Sequence, residues 1–342
     1  MGVSIPAKDQ NQSKRTKGGE FLIKETAPES IFIAEELTEE QKMMRQAMVD
    51  FIDQEIEPHF ELVDSVKGAK EFAPRLLEKA GDYGFLGIGV PEEYGGMESD
   101  FVTTLSNNEV GGGAYSMSLA IGVQTSIGIA PILLYGNPSQ KAKYLPKLVT
   151  GEWKTCYCLT EPSSGSDANS AKSTAKLSED GKNYILNGQK MWITNGGFAN
   201  IFIVFARIDQ DKNLSAFIVE ENYGGISRGA EEKKMGIKGS STRQLFFNNV
   251  PVPVENLLGE RNGGFKIAVN VLNTGRIKLS SSSVGVCKKA LGFAVKYANE
   301  RVQFKQPISK FGAIQHKIAE MATKTYVGES ALYRVGHDID LT

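Results

Sequence analysis

The apolar spacing of this chain changes period twice, and that change bounds the fold more tightly than any single residue. Up to about residue 152 apolar side chains recur at helical intervals. Thr38 followed by Glu39, Glu40 and Gln41 has the pattern of a capping box, and Met44, Met48 and Phe51 form one stripe of a helix that Pro58 closes. Further helices are predicted over 74–83, 101–109, 116–127 and 140–149. Between about 154 and 253 the runs become short or alternating, at 172–177, 184–192, 201–206, 214–219 and 244–247, with turns at Asp180-Gly181, 195–197, 211–213 and 223–225. Such punctuation predicts a β-barrel or sandwich. Past Gly263-Gly264-Phe265 helices return: a proline-free run over 276–301, expected to be long and buried, then Gln306-Pro307 and a helix with Ile314, Ile318 and Met321 on one face. The expected fold class is α+β multidomain, with a disordered start (1–32), an all-α N-terminal domain (33–152), a β-barrel middle domain (153–258) and a helical-bundle C-terminal domain (259–342).

Charge and cysteine content narrow the partners. Lys+Arg 39 against Asp+Glu 40 gives a formal charge of −1, so nothing electrostatic calls for nucleic acid or an acidic membrane. The most apolar stretch, 116–135, is interrupted by Gly122, Gln124, Gly128 and Pro131 and is read as a buried helix pair rather than a membrane span. Cys156, Cys158 and Cys287 are an odd set with neither metal nor disulfide spacing, which suggests free thiols in a reducing, cytoplasmic setting.

Two strand-to-loop stretches carry the chemistry. The first, 157–167, runs from Tyr157, Cys158 and Leu159 through Thr160-Glu161-Pro162 into Ser163-Ser164-Gly165-Ser166-Asp167. Pro162 ends a hydrogen-bonded ladder, and the hydroxyls and approachable backbone N–H groups that follow suit an anionic or strongly hydrogen-bonding ligand, although such turns are more often plain loops. The second, 187–197, places Trp192, one of two tryptophans, beside Ile193 and Thr194 before a glycine turn. A flat wall with a neighbouring hydroxyl suits a planar heterocycle; a core tryptophan is the bland alternative. No Gly-x-Gly-x-x-Gly follows a strand, which disfavours a nicotinamide site.

Together, Thr160-Glu161-Pro162 to Gly165-Ser166-Asp167 and Trp192-Ile193-Thr194 resemble the flavin-binding signature of the acyl-CoA dehydrogenase family. Val90-Pro91-Glu92-Glu93-Tyr94-Gly95-Gly96, the run 234–238 and Arg301-Val302-Gln303-Phe304 extend the likeness, and the run 311–315 is most similar to the very-long-chain branch, in which Gly312 replaces the glutamine of many relatives. The resemblance implies FAD bordered by Tyr157, Cys158, Leu159, Thr160, Gly165 and Ser166 and walled by Trp192, Ile193 and Thr194. It implies that Arg301 and Phe304 reach a flavin held by a neighbouring subunit, hence a dimer or tetramer. Ser166 and the segment Asn273, Thr274, Gly275 and Arg276 would meet the acyl-CoA. The implied reaction is α,β-desaturation of a fatty acyl thioester in β-oxidation, with electrons passing to an electron-transfer flavoprotein.

One departure concerns the base. The family's catalytic glutamate lies in a Glu-Gly-Thr-like stretch, and no Glu-Gly dipeptide occurs here; some relatives carry it just before the arginine matching Arg276, where this chain has Gly275. The resemblance therefore implies a copy truncated at its C-terminus, with an incomplete helical bundle, uncovered apolar faces and a base expected beyond Thr342. A non-catalytic acyl-CoA-binding remnant and an acyl-CoA oxidase are the competing readings. Small residues at Ser116, Ser118, Ala120 and Gly122, on the helix that borders the family's acyl pocket, suggest room for a long chain; tight helix packing explains them equally well.

Overall fold

Thr38 opens the first helix as its spacing predicts: its hydroxyl accepts from Gln41 N while the Gln41 side chain accepts from Thr38 N. The computed structural model describes residues 32–341. The expected disorder of residues 1–32 lies, Phe32 apart, outside them.

The helical first part comprises α1 (Glu39–Glu55), two short helices α2 (Phe60–Val63) and α3 (Val66–Glu71), α4 (Ala73–Asp82), α5 (Phe101–Gly111), α6 (Ser116–Gly122), α7 (Ile129–Tyr135) and α8 (Pro138–Val149). Residues 116–135 are a single helical run, not a helix pair: a π-helical turn, Val123–Gly128, joins α6 to α7. The whole run Ser116–Tyr135 is long and apolar enough to cross a membrane, but here it packs inside the fold. Gln124, wholly buried in the π turn, donates to the carbonyls of Leu148 and Trp153 and accepts from Thr155 N, stitching the run to α8 and the first strand. At Gly128 a Cβ would stand 2.0 Å from the Thr155 methyl, so this glycine allows the close approach.

Strands β1 (Thr155–Cys158), β2 (Thr174–Leu177), β3 (Asn183–Thr194), β4 (Ile201–Ile208), β5 (Ser215–Glu220), β6 (Ile226–Glu231), β7 (Thr242–Pro253) and β8 (Leu257–Leu258) follow. The expected closed barrel is corrected. They form one open mixed sheet in the order β6-β7-β3-β2-β4-β5-β8, with β1 parallel to β4 beside that path, and the end strands β6 and β8 do not pair. Alternation assigns the two faces. Tyr157, Leu159, Ile203, Phe205 and Ile218 pack against α7, α8 and the helix that follows the sheet. Cys156, Cys158, Phe202, Val204, Phe217 and Val219 face Leu186, Leu245 and Val250 of β3 and β7, so the sheet folds over its own apolar layer.

The last part is α9 (Gly264–Glu300), a small hairpin of β9 (Val302–Gln303) and β10 (Gln306–Pro307), and α10 (Gly312–Asp340). The expected incomplete bundle is corrected as well: α9 and α10 pack on each other and on α5, and α5 packs on α1. Glu109 of α5 sits at their centre, nearly inaccessible, bonded to Arg45 of α1 (2.7 Å), Lys288 of α9 (2.7 Å) and the Tyr333 hydroxyl of α10 (2.8 Å). The Asp340 carboxylate accepts from Phe101 N (2.6 Å) and Val102 N (2.9 Å), placing negative charge at the N-terminus of α5. The sequence expectation of a fully buried α9 also fails. Leu279, Val286 and Phe293, seven residues apart, lie exposed along one stripe.

Burial opposes ionisation of Glu109, but Arg45 and Lys288 outweigh it and hold the carboxyl below its ordinary value. Glu109→Leu strands Arg45 and leaves Lys288 only Glu329, and is expected to destabilise the chain by about 3 kcal/mol in urea unfolding. A change below about 0.5 kcal/mol, the scale of an inconsequential surface substitution, would show that the cluster does not hold the bundle.

Candidate active site

The cleft forms where the sheet's motif loops meet the π turn and the first turns of α9. Its loop leaves β1 at Leu159 and turns back at once: Glu161 N donates to Ser164 O (3.0 Å) and Ser164 N to Glu161 O (3.1 Å). Pro162 and Ser163 ride the tip, exposed, and the Ser164 hydroxyl donates to Asp167 O (2.8 Å) to close the bend.

Opposite stands Trp192. Along β3 the pairing with β7 steps from Lys190↔Leu245 to Ile193↔Arg243, so one extra residue is accommodated in β3, a bulge. Trp192 takes φ +57° there, an uncommon conformation for a large side chain, and the residue is 61% exposed. The bulge turns the ring out of the sheet and toward the loop, and the backbones are tied by Met191 N donating to Thr160 O (2.9 Å).

A buried ion pair fixes both sides. Lys190, with no accessible surface, donates to Glu161 Oε1 (2.7 Å), Phe205 O (2.7 Å) and Leu159 O (3.2 Å), which uses all three of its ammonium protons. Glu161 also accepts from Lys172 N (2.5 Å) and Ser173 N (3.0 Å). Burial works against ionisation of Glu161, yet the charge of Lys190 prevails and lowers its pKa; burial lowers that of Lys190, against the pull of Glu161. Glu161 is therefore a committed structural carboxylate, not a free base.

The cavity between loop and bulge holds about 420 Å³. Most of the sequence-predicted flavin residues meet in it: Tyr157, Leu159, Thr160, Gly165, Ser166, Trp192, Ile193 and Thr194, with Arg276 at its edge. The hydroxyls of Thr160, Ser166 and Thr194 make no side-chain hydrogen bond to protein among the described residues, and a Cβ at Gly165 would meet open space. A flat wall, three uncommitted hydroxyls and an approachable backbone fit a planar heterocycle with polar edges. Sequence reasoning missed the far wall, Val123, Ile127, Phe265, Ala268 and Leu272. A helix running upstream from Arg276 would have been its signal.

Other candidates lie elsewhere. The Cys158 side chain points into the β-layer and only its backbone runs past the cleft. Gly275 lines a neighbouring cavity, Thr274 a third, and Asn273 is exposed, accepting from Arg276 (2.6 Å). Arg301 ends α9 and Phe304 is 88% exposed in the hairpin, roughly 37 Å along the helix from Arg276. Neither reaches the cleft of its own chain.

Comparison with known proteins gives three successive family matches: acyl-CoA dehydrogenase N-terminal domain over residues 38–152, middle domain over 156–250 and C-terminal domain over 262–341. The last overturns the expectation of a chain truncated within that domain. A "Probable acyl-CoA dehydrogenase" of Bacillus subtilis (strain 168) is 47% identical over 319 residues, covering 93% of this chain and 53% of that protein. The mitochondrial very long-chain specific acyl-CoA dehydrogenase of Rattus norvegicus is 42% identical over 292 residues, covering 81% of this chain and 43% of that protein. A crystal structure of acyl-CoA dehydrogenase complexed with FAD from Bacillus anthracis superposes with a TM-score of 0.91 at 48% identity, over 94% of this chain and 56% of that one. The chain spans about half the length of these relatives.

Removing one member of the buried pair exposes its role. Lys190→Met leaves Glu161 buried and uncompensated and is expected to cost roughly 3–5 kcal/mol, whereas Lys190→Met with Glu161→Gln recovers most of it. Because the pKa of Glu161 is lowered on folding, its stabilisation is present above its ordinary value of 4.5 and is lost as pH falls through the lowered one. Acid unfolding should thus be steeper in the wild type than in the double variant, and equal slopes by circular dichroism would refute the assignment.

Proposed function

This chain belongs to the acyl-CoA dehydrogenase family, and from that premise we propose that it takes part in FAD-dependent α,β-desaturation of a fatty acyl-CoA, electrons leaving to an electron-transfer flavoprotein. The observation that carries the reading is the Trp192 bulge facing the Thr160–Ser166 loop across a cleft of about 420 Å³. FAD binds in this family, and its residues here are those gathered in the cleft. When bound it supplies the acceptor for the hydride that leaves the β carbon.

The chain's own side chains bind, orient and exclude water. Thr160, Thr194 and the backbone beside Gly165 offer hydrogen bonds to the polar edge of the ring system, and Trp192 covers it. Ser166 and Arg276 lie where a thioester and its coenzyme A arm enter. Val123, Ile127 and Leu272 form an apolar wall that favours an aliphatic chain and keeps water from the reacting carbons. No Asp, Glu or His lines this cleft or the cavity beside it among the described residues, so neither lining supplies the acceptor of the α proton. Arg301 and Phe304, so far from this cleft, are suited to a flavin in a neighbouring subunit, which makes a homo-oligomer part of the proposal.

The protein purified from its native source is expected to carry FAD, to be bleached anaerobically by a long-chain acyl-CoA, and to regain colour with an electron-transfer flavoprotein but not with oxygen. Rapid recolouring with peroxide release would make it an oxidase. Acyl-CoA binding that never bleaches the flavin would favour a non-catalytic binding protein.

A further inference from the structure

A second cavity, of about 230 Å³, opens off the flavin cleft and shares Val123, Ile127, Leu272 and Arg276 with it. Small residues line it, Ser118, Gly122 and Ser126, and a Cβ at Gly122 would meet open space. A third cavity, of about 290 Å³, lies across the π turn; Phe85, Leu86, Ile88, Ile129 and Leu133 give it an apolar wall, and Asp100, Asn108 and Asp340 lie at its polar side. One residue lines both the second and the third: Lys278, on α9.

We propose that Lys278 sets acyl-chain length, standing as a polar stop between two largely apolar chambers in series. The proposal rests on the acyl-CoA reading above. An aliphatic tail leaving the flavin cleft fills the second chamber first. To enter the third it must displace or lie against an ammonium that is only partly hydrated, and apolar contact there removes what hydration remains. The ammonium makes a single hydrogen bond among the described residues, to Thr125 O in the π turn (3.3 Å), and no carboxylate pairs with it. The charged groups on its surroundings are otherwise committed. Arg276, on its own helix, donates to Asn273; Asp100, before α5, accepts from Gln41 and Thr103 N; Asp340 of α10 accepts from Phe101 N and Val102 N. The helical run that carries Thr125 presents only neutral residues to these chambers. Burial alone pushes the pKa of Lys278 down to about 8, so the stop loses charge just above neutrality.

Lys278→Met keeps length and bulk while removing the charge. Calorimetric titration of the FAD-loaded protein with octanoyl-CoA and palmitoyl-CoA reads the stop without requiring turnover. The variant is expected to raise affinity for palmitoyl-CoA relative to octanoyl-CoA by about tenfold, the scale on which hydrophobic pockets discriminate chain length. In the wild type that ratio should also climb between about pH 7 and about pH 9 as the amine is neutralised, a step absent from the variant. An unchanged ratio, or the same pH step in both proteins, would overturn the proposal. So would loss of bleaching by octanoyl-CoA in Lys278→Met when the wild type bleaches, which would make the amine part of the chemistry. Should the ratios move as expected while neither protein is bleached, the stop stands and the desaturation reading falls.

Discussion

The buried contact between Lys190 and Glu161 is what the rest of the site depends on. Loop 160–166 has almost no regular structure of its own, and a polar loop at the edge of a sheet would ordinarily drift. Here Lys190 bonds the carboxylate in the loop, the carbonyl at the end of β1's run and a carbonyl in β4, while the Glu161 carboxylate receives two backbone N–H groups from 172–173. Such a pair does not pay for itself in stability, since dehydrating both charges cancels much of their attraction. Its consequence is geometric: Thr160 and Trp192, remote in sequence, are held on opposite walls of one cleft.

The helices serve that geometry from behind. The π turn over Val123–Gly128 bends the apolar run so that Val123 and Ile127 face the cleft while Gln124 is buried among backbone groups of α8 and β1. π turns interrupt the regular hydrogen-bond ladder and recur at functional sites. Across from it α9 contributes Phe265, Ala268 and Leu272 to the cleft, then Gly275 and Lys278 to the cavities beyond, so one helix lines them all. The Glu109 cluster fixes α9 to α1, α5 and α10, and so fixes the helix that lines the cleft and the cavities beside it.

Much of this was legible in the sequence because it is local. The capping box at Thr38, the strands at 184–192 and 201–206 and the two motif loops depend on neighbours within a few residues, and the structure has them at or near those positions. Long-range facts were not legible. The strand β6, Ile226–Glu231, has little apolar alternation and exists because β7 pairs with it. The helix α9 starts at Gly264 rather than Arg276, because Asn270, Asn273, Thr274 and Gly275 are poor helix formers that tertiary packing overrides. Openness of the sheet is a property of which edges meet, and nothing in a strand's own pattern encodes it. Likewise Lys190 looks like an ordinary polar strand residue until Glu161 is folded against it.

The central claim is that Trp192 forms one wall of the flavin site. Trp153 is the chain's other tryptophan, so Trp153→Phe leaves Trp192 as the sole indole emitter. Titrating the flavin-free form of that variant with FAD should quench its tryptophan fluorescence to a stoichiometric end point, because the ring would lie against the isoalloxazine. Saturable FAD binding that leaves the emission of Trp192 unchanged would contradict the account.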